Sequence, residues 1–389
     1  MATGFTVNDN NNKLIKYTYD INREFVRENM FAPYMGEDVT SIIRVRNELK
    51  QGGDTINLPL VTRLKNTAIG SGTLVGSEET IDNYGQRVKV DWARNAVTMQ
   101  KSEQQRQSAD IFGEAKPLLS DWGKSLQRDE IIKAMMALPT ETLPGPDIRV
   151  NGTPFETGTA ALRDTWMVAN KDRILFGNST TNLGAGTVFA TVLNSLDVVN
   201  DKCTAANLSL LKRIAKNADP HIRPFKTREG YEYYVAFMGT NPFRDLKNDL
   251  NLAGGAAVNL YARPRERNGP NGAPDNPLFQ DGDQLYDGII AHEVPEISAM
   301  VTSLWLTQLT NAGPVRCEPV FLCGQQAVGF CWGQMARPTF RNETDYQFIT
   351  GTGIDMCYGV SKIFKKHPMA GPNLVQFGMA TGFFASPAD

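Results

Sequence analysis

The clearest pattern of apolar and polar positions runs from Ser102 to Leu138. Ile111, Ala115, Leu118, Trp122 and Leu126 recur at spacings of three and four, and Ile131, Ile132, Met135 and Met136 carry the stripe on to Leu138. Arg128, Asp129, Glu130 and Lys133 hold the opposite face. The pattern predicts a spine helix over 102–138, about 50 Å long if continuous. Pro117 qualifies this, because a proline removes a main-chain donor and clashes one turn back. Either the helix bends there, or there are two helices with Pro117 opening the second.

Ahead of the spine, the polar tract Asn8 to Asn12 offers nothing to a core, and Asp20 offers an N-cap to a helix carrying Ile21, Phe25, Val26 and Met30. A second apolar segment surrounds Ile42, Ile43 and Val45. Two runs then alternate with period two: Ile56, Leu58 and Leu60 against Asn57 and Pro59, and Val88, Val90 and Trp92 against Arg87, Lys89 and Asp91. Both read as half-buried strands. Between them lie Gly70-Ser71-Gly72, Gly76 and mixed charges from Arg63, Lys65, Glu78, Glu79 and Asp82, which suits the tip of a long hairpin. A two-stranded ribbon is only marginally stable alone, so it needs a surface to lie on, and Pro59 fits an edge strand.

Beyond the spine, Pro139 and Leu143-Pro144-Gly145-Pro146 terminate the helix. Residues 147–200 read as irregular apart from a short helix over 160–170. Thr204 to Asn217 predicts a helix with Leu208, Leu211 and Ile214 on one face and cations towards its C-terminus. A strand over Tyr231 to Met238, a short helix from Pro242 through Leu246, and a Pro/Gly/Asn-rich excursion over 263–284 follow. Gly288 to His292, Val315 to Cys323 and Gly353 to Lys362 read as strands, with the short apolar patch Gln326 to Trp332 between the last two.

Length and charge narrow the function. A chain of 389 residues is too long for one simple core and predicts two or more lobes. Its 40 basic and 42 acidic side chains exclude a global field drawing it to nucleic acid or an anionic membrane. No run of about 20 apolar residues and no signal-peptide pattern is present, so the expected compartment is the cytosol. Cys203, Cys317, Cys323, Cys331 and Cys357 match no zinc spacing and read as buried, reduced thiols.

Candidate chemistry is sparse. His221, His292 and His367 are far apart, and His292-Glu293 lacks the second histidine of a metalloprotease motif, since Glu296 stands there. His292 reads as a strand-terminal histidine at a surface or subunit contact. Gly70 to Gly76 lacks the Gly-Lys-Ser/Thr of a phosphate loop, and Val75 occupies the third glycine position of a dinucleotide fingerprint. No Gly-x-Ser-x-Gly elbow occurs, and Glu78 and Glu79, adjacent in sequence, would on a strand face opposite ways and share no proton. The cluster Lys362, Lys365, Lys366 and His367, like Arg263, Arg265 and Arg267, reads as solvated charge without the aromatic platform of a single-strand binder. The expectation is a protein with no catalytic residue, no cofactor and no metal.

Several strings carry a resemblance. Gly72-Thr73-Leu74-Val75-Gly76-Ser77-Glu78-Glu79, Val88 to Val97, Asn276-Pro277-Leu278-Phe279, Tyr286 to Glu293, Cys323-Gly324-Gln325-Gln326-Ala327, Asp345-Tyr346 and Gly359-Val360-Ser361-Lys362 together resemble the major capsid proteins of tailed bacteriophages, in the branch found in N-four-like phages. Residues 141–200 match nothing in that pattern, and those from Met369 only loosely. The resemblance implies the α+β, Hong-Kong-type capsid fold shared with encapsulins: an N-terminal arm over 1–50, an extended β-hairpin loop over 51–98, a peripheral domain over 99–202 with the spine, an axial domain over 203–335, and a C-terminal return over 336–389. It implies hexamers and pentamers of an icosahedral head around double-stranded DNA, contacted non-specifically. Scaffolding, portal and decoration proteins are further implied partners, and no membrane is. The stretch before the hairpin is too short for the cleavable scaffolding segment of some relatives, which implies a separate scaffolding protein or none.

Expected subunit-interface residues on the extended loop are Leu58, Leu60, Arg63, Lys65, Glu78, Glu79, Arg87, Val88 and Trp92, the apolar ones forming a face completed by another copy. Expected axial-domain contacts are Asn276, Phe279, Tyr286 and His292. Two alternatives stand beside this reading: an encapsulin-like compartment enclosing cargo protein, and a cytosolic hydrolase with an unusual site.

Overall fold

The stretch predicted as one spine is two helices, Lys101–Arg106 and Ala115–Met136. The computed structural model describes residues 29–386 apart from 48–53, 62–63, 65, 80, 82, 107–112, 185–187, 227–229, 253–282, 311–312, 314, 345, 347 and 367–373. The polar tract at Asn8, the helix expected from Asp20 and most of the 263–284 excursion, with Asn276 and Phe279, therefore lie outside the described residues, as do Arg63, Lys65 and Ile111. The longer helix begins two residues ahead of Pro117, which sits in its first turn, where a missing amide breaks no helical hydrogen bond. Ala115, Leu119, Ile131, Ile132, Met135 and Met136 are buried, whereas Leu118 faces solvent.

Two compact units divide the described chain: one comprises 93–126 and 336–356, the other 29–92, 127–335 and 357–386. Within the first, Gly123 lies against Ile354 and Met356, the Lys116 ammonium sits 5.0 Å from the centre of the Phe340 ring, and Arg337 pairs with Asp355 at 3.3 Å.

Most of the core of the second unit belongs to a seven-stranded sheet. Its order is Gln284–Tyr286, Ile289–Glu293, Glu232–Met238, Cys317–Cys323, Met379–Ala385 and Ile174–Phe176, with Phe225–Lys226 on the side of Glu232–Met238. Cys317–Cys323 and Met379–Ala385 are buried at every residue, Glu318 and Thr381 included. Helix Ala205–Asn217 lays Leu208, Leu211 and Ile214 on this sheet, and Thr204 caps it by accepting from the Asn207 amide at 3.2 Å. Helix Thr240–Leu252 starts earlier and runs further than the Pro242–Leu246 pattern predicts. The segment read as irregular contains helix Ala160–Ala169, as predicted, and also the short strand Ile174–Phe176, fully buried in an aromatic group with Trp166, Phe189 and Phe383.

A six-stranded sheet takes the order Met35–Gly36, Ile43–Arg46, Val328–Thr344, Ile349–Lys362 and Asp91–Gln100, with Val150–Asn151 on Ile349–Lys362. Val328–Thr344 has 17 residues, far more than the predicted apolar patch ending at Trp332. From Gly333 onward the run GQMARPTFRNET carries polar groups and Pro338, so period two is lost, and Met335 to Pro338 are solvent-exposed. Strand pairing holds this stretch where side-chain pattern does not. The five cysteines are free and buried.

Candidate functional site

Strands Thr55–Val61 and Asn83–Lys89 pair antiparallel, with Ile56 opposite Val88, Leu58 opposite Gln86 and Leu60 opposite Tyr84. Ile56, Leu58, Leu60, Val88 and Val90 are buried against Cys331, Cys357 and Ile363 of the same chain. This corrects the expectation that another copy completes the face of Leu58, Leu60 and Val88: the foot of the hairpin already lies on its own subunit. Trp92 does not share that face. Pairing in the hairpin stops at Lys89, a new strand starts at Asp91, and the alternation restarts, leaving Trp92 46% exposed. Asn151 fixes this junction, accepting from the Lys89 amide at 2.8 Å and donating to the Lys89 carbonyl at 2.9 Å.

A buried amide seals the foot. Gln86, 1% exposed, donates from Nε2 to Ser361 Oγ and to the Lys362 carbonyl, both at 2.8 Å, and accepts from the Phe364 amide at 3.0 Å. On the outer side, Tyr84 donates to Glu141 at 3.1 Å and Lys366 pairs with the same carboxylate at 2.8 Å. The Lys366 hydrogen bond, helped by Tyr84 and the nearby Arg87, holds the Glu141 carboxyl below its ordinary range despite partial desolvation. Arg87 itself is exposed.

The tip differs from the foot. Leu64, Ile69, Leu74, Val75 and Ile81 are exposed, Val75 by 80%. Ser77 donates to the Leu74 carbonyl at 3.0 Å, closing a turn in which Gly76 takes φ +86°, a conformation that glycine adopts without a Cβ clash. Glu78 accepts from the Gly76 amide and Glu79 from the Asn66 amide, each at 2.8 Å. The two carboxylates lie in the loop of the tip, and each ties down a different part of it.

Lys362 departs furthest from its sequence reading. Expected in a solvated basic cluster, it is 2% exposed, with Nζ 3.1 Å from Gln376 Oε1 and 5.3 Å from the centre of the Trp166 ring. Burial pushes its amine down to about 7. Lys365 is buried as well, and only Lys366 of the described members behaves as a surface cation.

His292 is also corrected. It is buried rather than at a surface, its Nδ1 lies 2.5 Å from Asp283 Oδ1, and the rings of Tyr34 and Phe237 pack edge-on against it. Strand Gln284–Tyr286 pairs with Ile289–Glu293, and Tyr286 packs half-buried against the cluster under helix Ala205–Asn217, which raises its phenol chiefly by desolvation. Beside it, Lys212 pairs with Asp287 at 2.9 Å. The described residues among the expected contacts thus fall into two places, the hairpin and the edge of the seven-stranded sheet. Among the described residues no group of three or more His, Cys, Asp or Glu could hold a metal ion, and no helix is long and apolar enough to cross a membrane.

The hairpin thus carries exposed apolar residues at its tip and a buried foot. The phage capsid protein family matches residues 5–382. The chain belongs to this family. Among solved structures, the capsid protein is 32% identical to a chain of the cyanophage Pam1 capsid asymmetric unit, covering 98% of each chain at a TM-score of 0.80. It shares its fold with the capsid of Ralstonia phage GP4, at 16% identity, 100% and 99% coverage and a TM-score of 0.69. The fold extends to the head of Helicobacter pylori bacteriophage KHP40, at 12% identity, 97% and 96% coverage and a TM-score of 0.61. No curated protein matches the chain. The protein is a major capsid protein with the tailed-phage capsid fold, and its role is structural.

Proposed function

We propose that this capsid protein forms hexamers and pentamers of an icosahedral phage head enclosing double-stranded DNA, and that the tip of its hairpin is a principal contact between copies. One observation carries the second part: Leu64, Leu74, Val75 and Ile81 are all exposed on a loop tied together by its own glutamates. Apolar surface left in water by one copy is a driving force for association with the next, at roughly 25 cal/mol per Å² covered. In this reading 51–98 is the extended loop, 99–202 and 336–389 the peripheral domain, and 203–335 the axial domain. Near-neutral net charge suits a wall against which packaged DNA can move, with phosphate contacts few and non-specific. Assembly takes place in the host cytoplasm, and scaffolding, portal and decoration proteins are the further partners of such a shell.

Val61 and Asn83 are the last paired residues of the hairpin, so residues 62–82 can be replaced by Asn-Gly, a two-residue turn suited to that closure. The shortened chain should remain soluble, with a circular dichroism spectrum and melting temperature close to those of the full chain, and form no shells on electron microscopy. Normal shells from the shortened chain would contradict the proposal.

A further inference from the structure

A pocket of about 210 Å³ opens beside the outer end of the hairpin strands. Leu60 and Val61 form one wall and Phe377 another, while Arg44 and Arg223 supply its charge and His221 adds an imidazole; among the described residues that line it, none is acidic. Its frame is bolted together. The Gln325 amide donates to the Arg223 carbonyl at 2.8 Å, Gln325 Nε2 to the Pro224 carbonyl at 2.9 Å, and Gln326 Nε2 to the Val39 carbonyl at 3.1 Å. His221 and Arg223 are exposed, and among the described residues neither side chain has a hydrogen-bond or ion-pair partner. The pocket is therefore a preformed concavity with an apolar wall and, in Arg223, a guanidinium with no partner among the described residues.

An occupant must bring a carboxylate beside aliphatic groups, and this chain presents one. At the hairpin tip Glu78 is exposed, with one carboxylate oxygen engaged by the Gly76 amide, and Leu74, Val75 and Ile81, within four residues of it in sequence, are exposed as well. We infer that the pocket receives the hairpin tip of a second copy, the Glu78 carboxylate meeting Arg223 and His221 while the neighbouring aliphatics cover Val61 and Phe377. The inference rests on the proposed role of the hairpin tip and adds its receptor. Like-charged or purely apolar segments would leave either the arginine or the aliphatic wall unsatisfied, so the pairing selects partner and register more than it adds affinity.

The test is a full-length chain carrying Glu78→Cys and Arg223→Cys, assembled and mildly oxidised. The five native cysteines are buried, so the introduced thiols are the reactive ones. A ladder of covalent multimers on a non-reducing gel, collapsing to one band on reduction, is the expected result. Intact shells without the ladder, or with only a disulfide inside one chain, overturn the pocket assignment and leave the assembly proposal standing. A wild-type chain that never assembles overturns both. Charge reversal gives an independent reading: Arg223→Glu should lower shell yield at least tenfold, and Glu78→Arg in the same chain should restore most of it. Unchanged yield from Arg223→Glu would equally overturn the inference.

Discussion

Lys362 is an ammonium-bearing side chain placed where a charge is costly. Among the described residues no carboxylate lies within ion-pair distance of it, and its one hydrogen bond is to Gln376. Burial lowers its amine from an ordinary 10.5 to about 7. Between those values the unfolded chain holds a proton that the folded chain lacks, so stability rises with pH above about 7, and below it the penalty is present in full. Above the ordinary thiol value of 9.0 the buried Cys203 and Cys323, whose thiols are pushed upward, oppose this trend. From pH 7 to pH 9 the Lys362 contribution should therefore raise unfolding free energy by about 1–3 kcal/mol. Lys362→Met should remove that slope and stabilise the subunit at pH 7, read by urea denaturation at both values; an unchanged slope would show that the amine stays charged. Gln86 makes the complementary case, a buried polar group fully used. Gln86→Leu strands the Phe364 amide and should cost about 1–3 kcal/mol in the same assay. Neither residue was legible in the sequence. A lysine in a basic cluster reads as surface, and Gln86, although two residues ahead of Val88 and so on the inward parity, carries no sign of its partners; the groups that bury them, Trp166, Ser361 and Gln376, come from distant parts of the chain.

At the scale of elements, legibility follows how far each element is decided by its own residues. Helix Ala205–Asn217 has an N-cap, an apolar stripe and C-terminal cations, and folds where those signals place it. The hairpin strands likewise follow their alternation, but what covers them does not appear in it. Leu58 is 2% exposed beneath its own chain, so Leu58→Ala should destabilise the isolated subunit by about 2–5 kcal/mol, measured by denaturation under non-assembling conditions. A loss confined to assembly, with the subunit as stable as before, would instead restore the idea that another copy completes this face. The outer half of Val328–Thr344 was hidden for the opposite reason: its side chains carry no period, and its conformation comes from main-chain pairing with a neighbouring strand. Trp92 was misplaced because alternation continues in the sequence across Val90 while the hairpin pairing does not.

Over the whole molecule, the capsid fold was readable from many weak strings in order, none of them catalytic, and the family match over residues 5–382 gives them their common meaning. The candidate contacts were legible only in part. Glu78 stood out as charge on a loop, whereas the pocket of His221 and Arg223 is built by segments far apart in the chain and has no signature of its own. In the proposed assembly the exposed, self-tied hairpin tip on its buried foot joins this chain to its neighbours in a shell. Negative-stain electron microscopy of the purified full-length protein tests it most directly. Capsomers or closed shells are the predicted result, and a preparation that stays monomeric at every concentration and salt condition would contradict it.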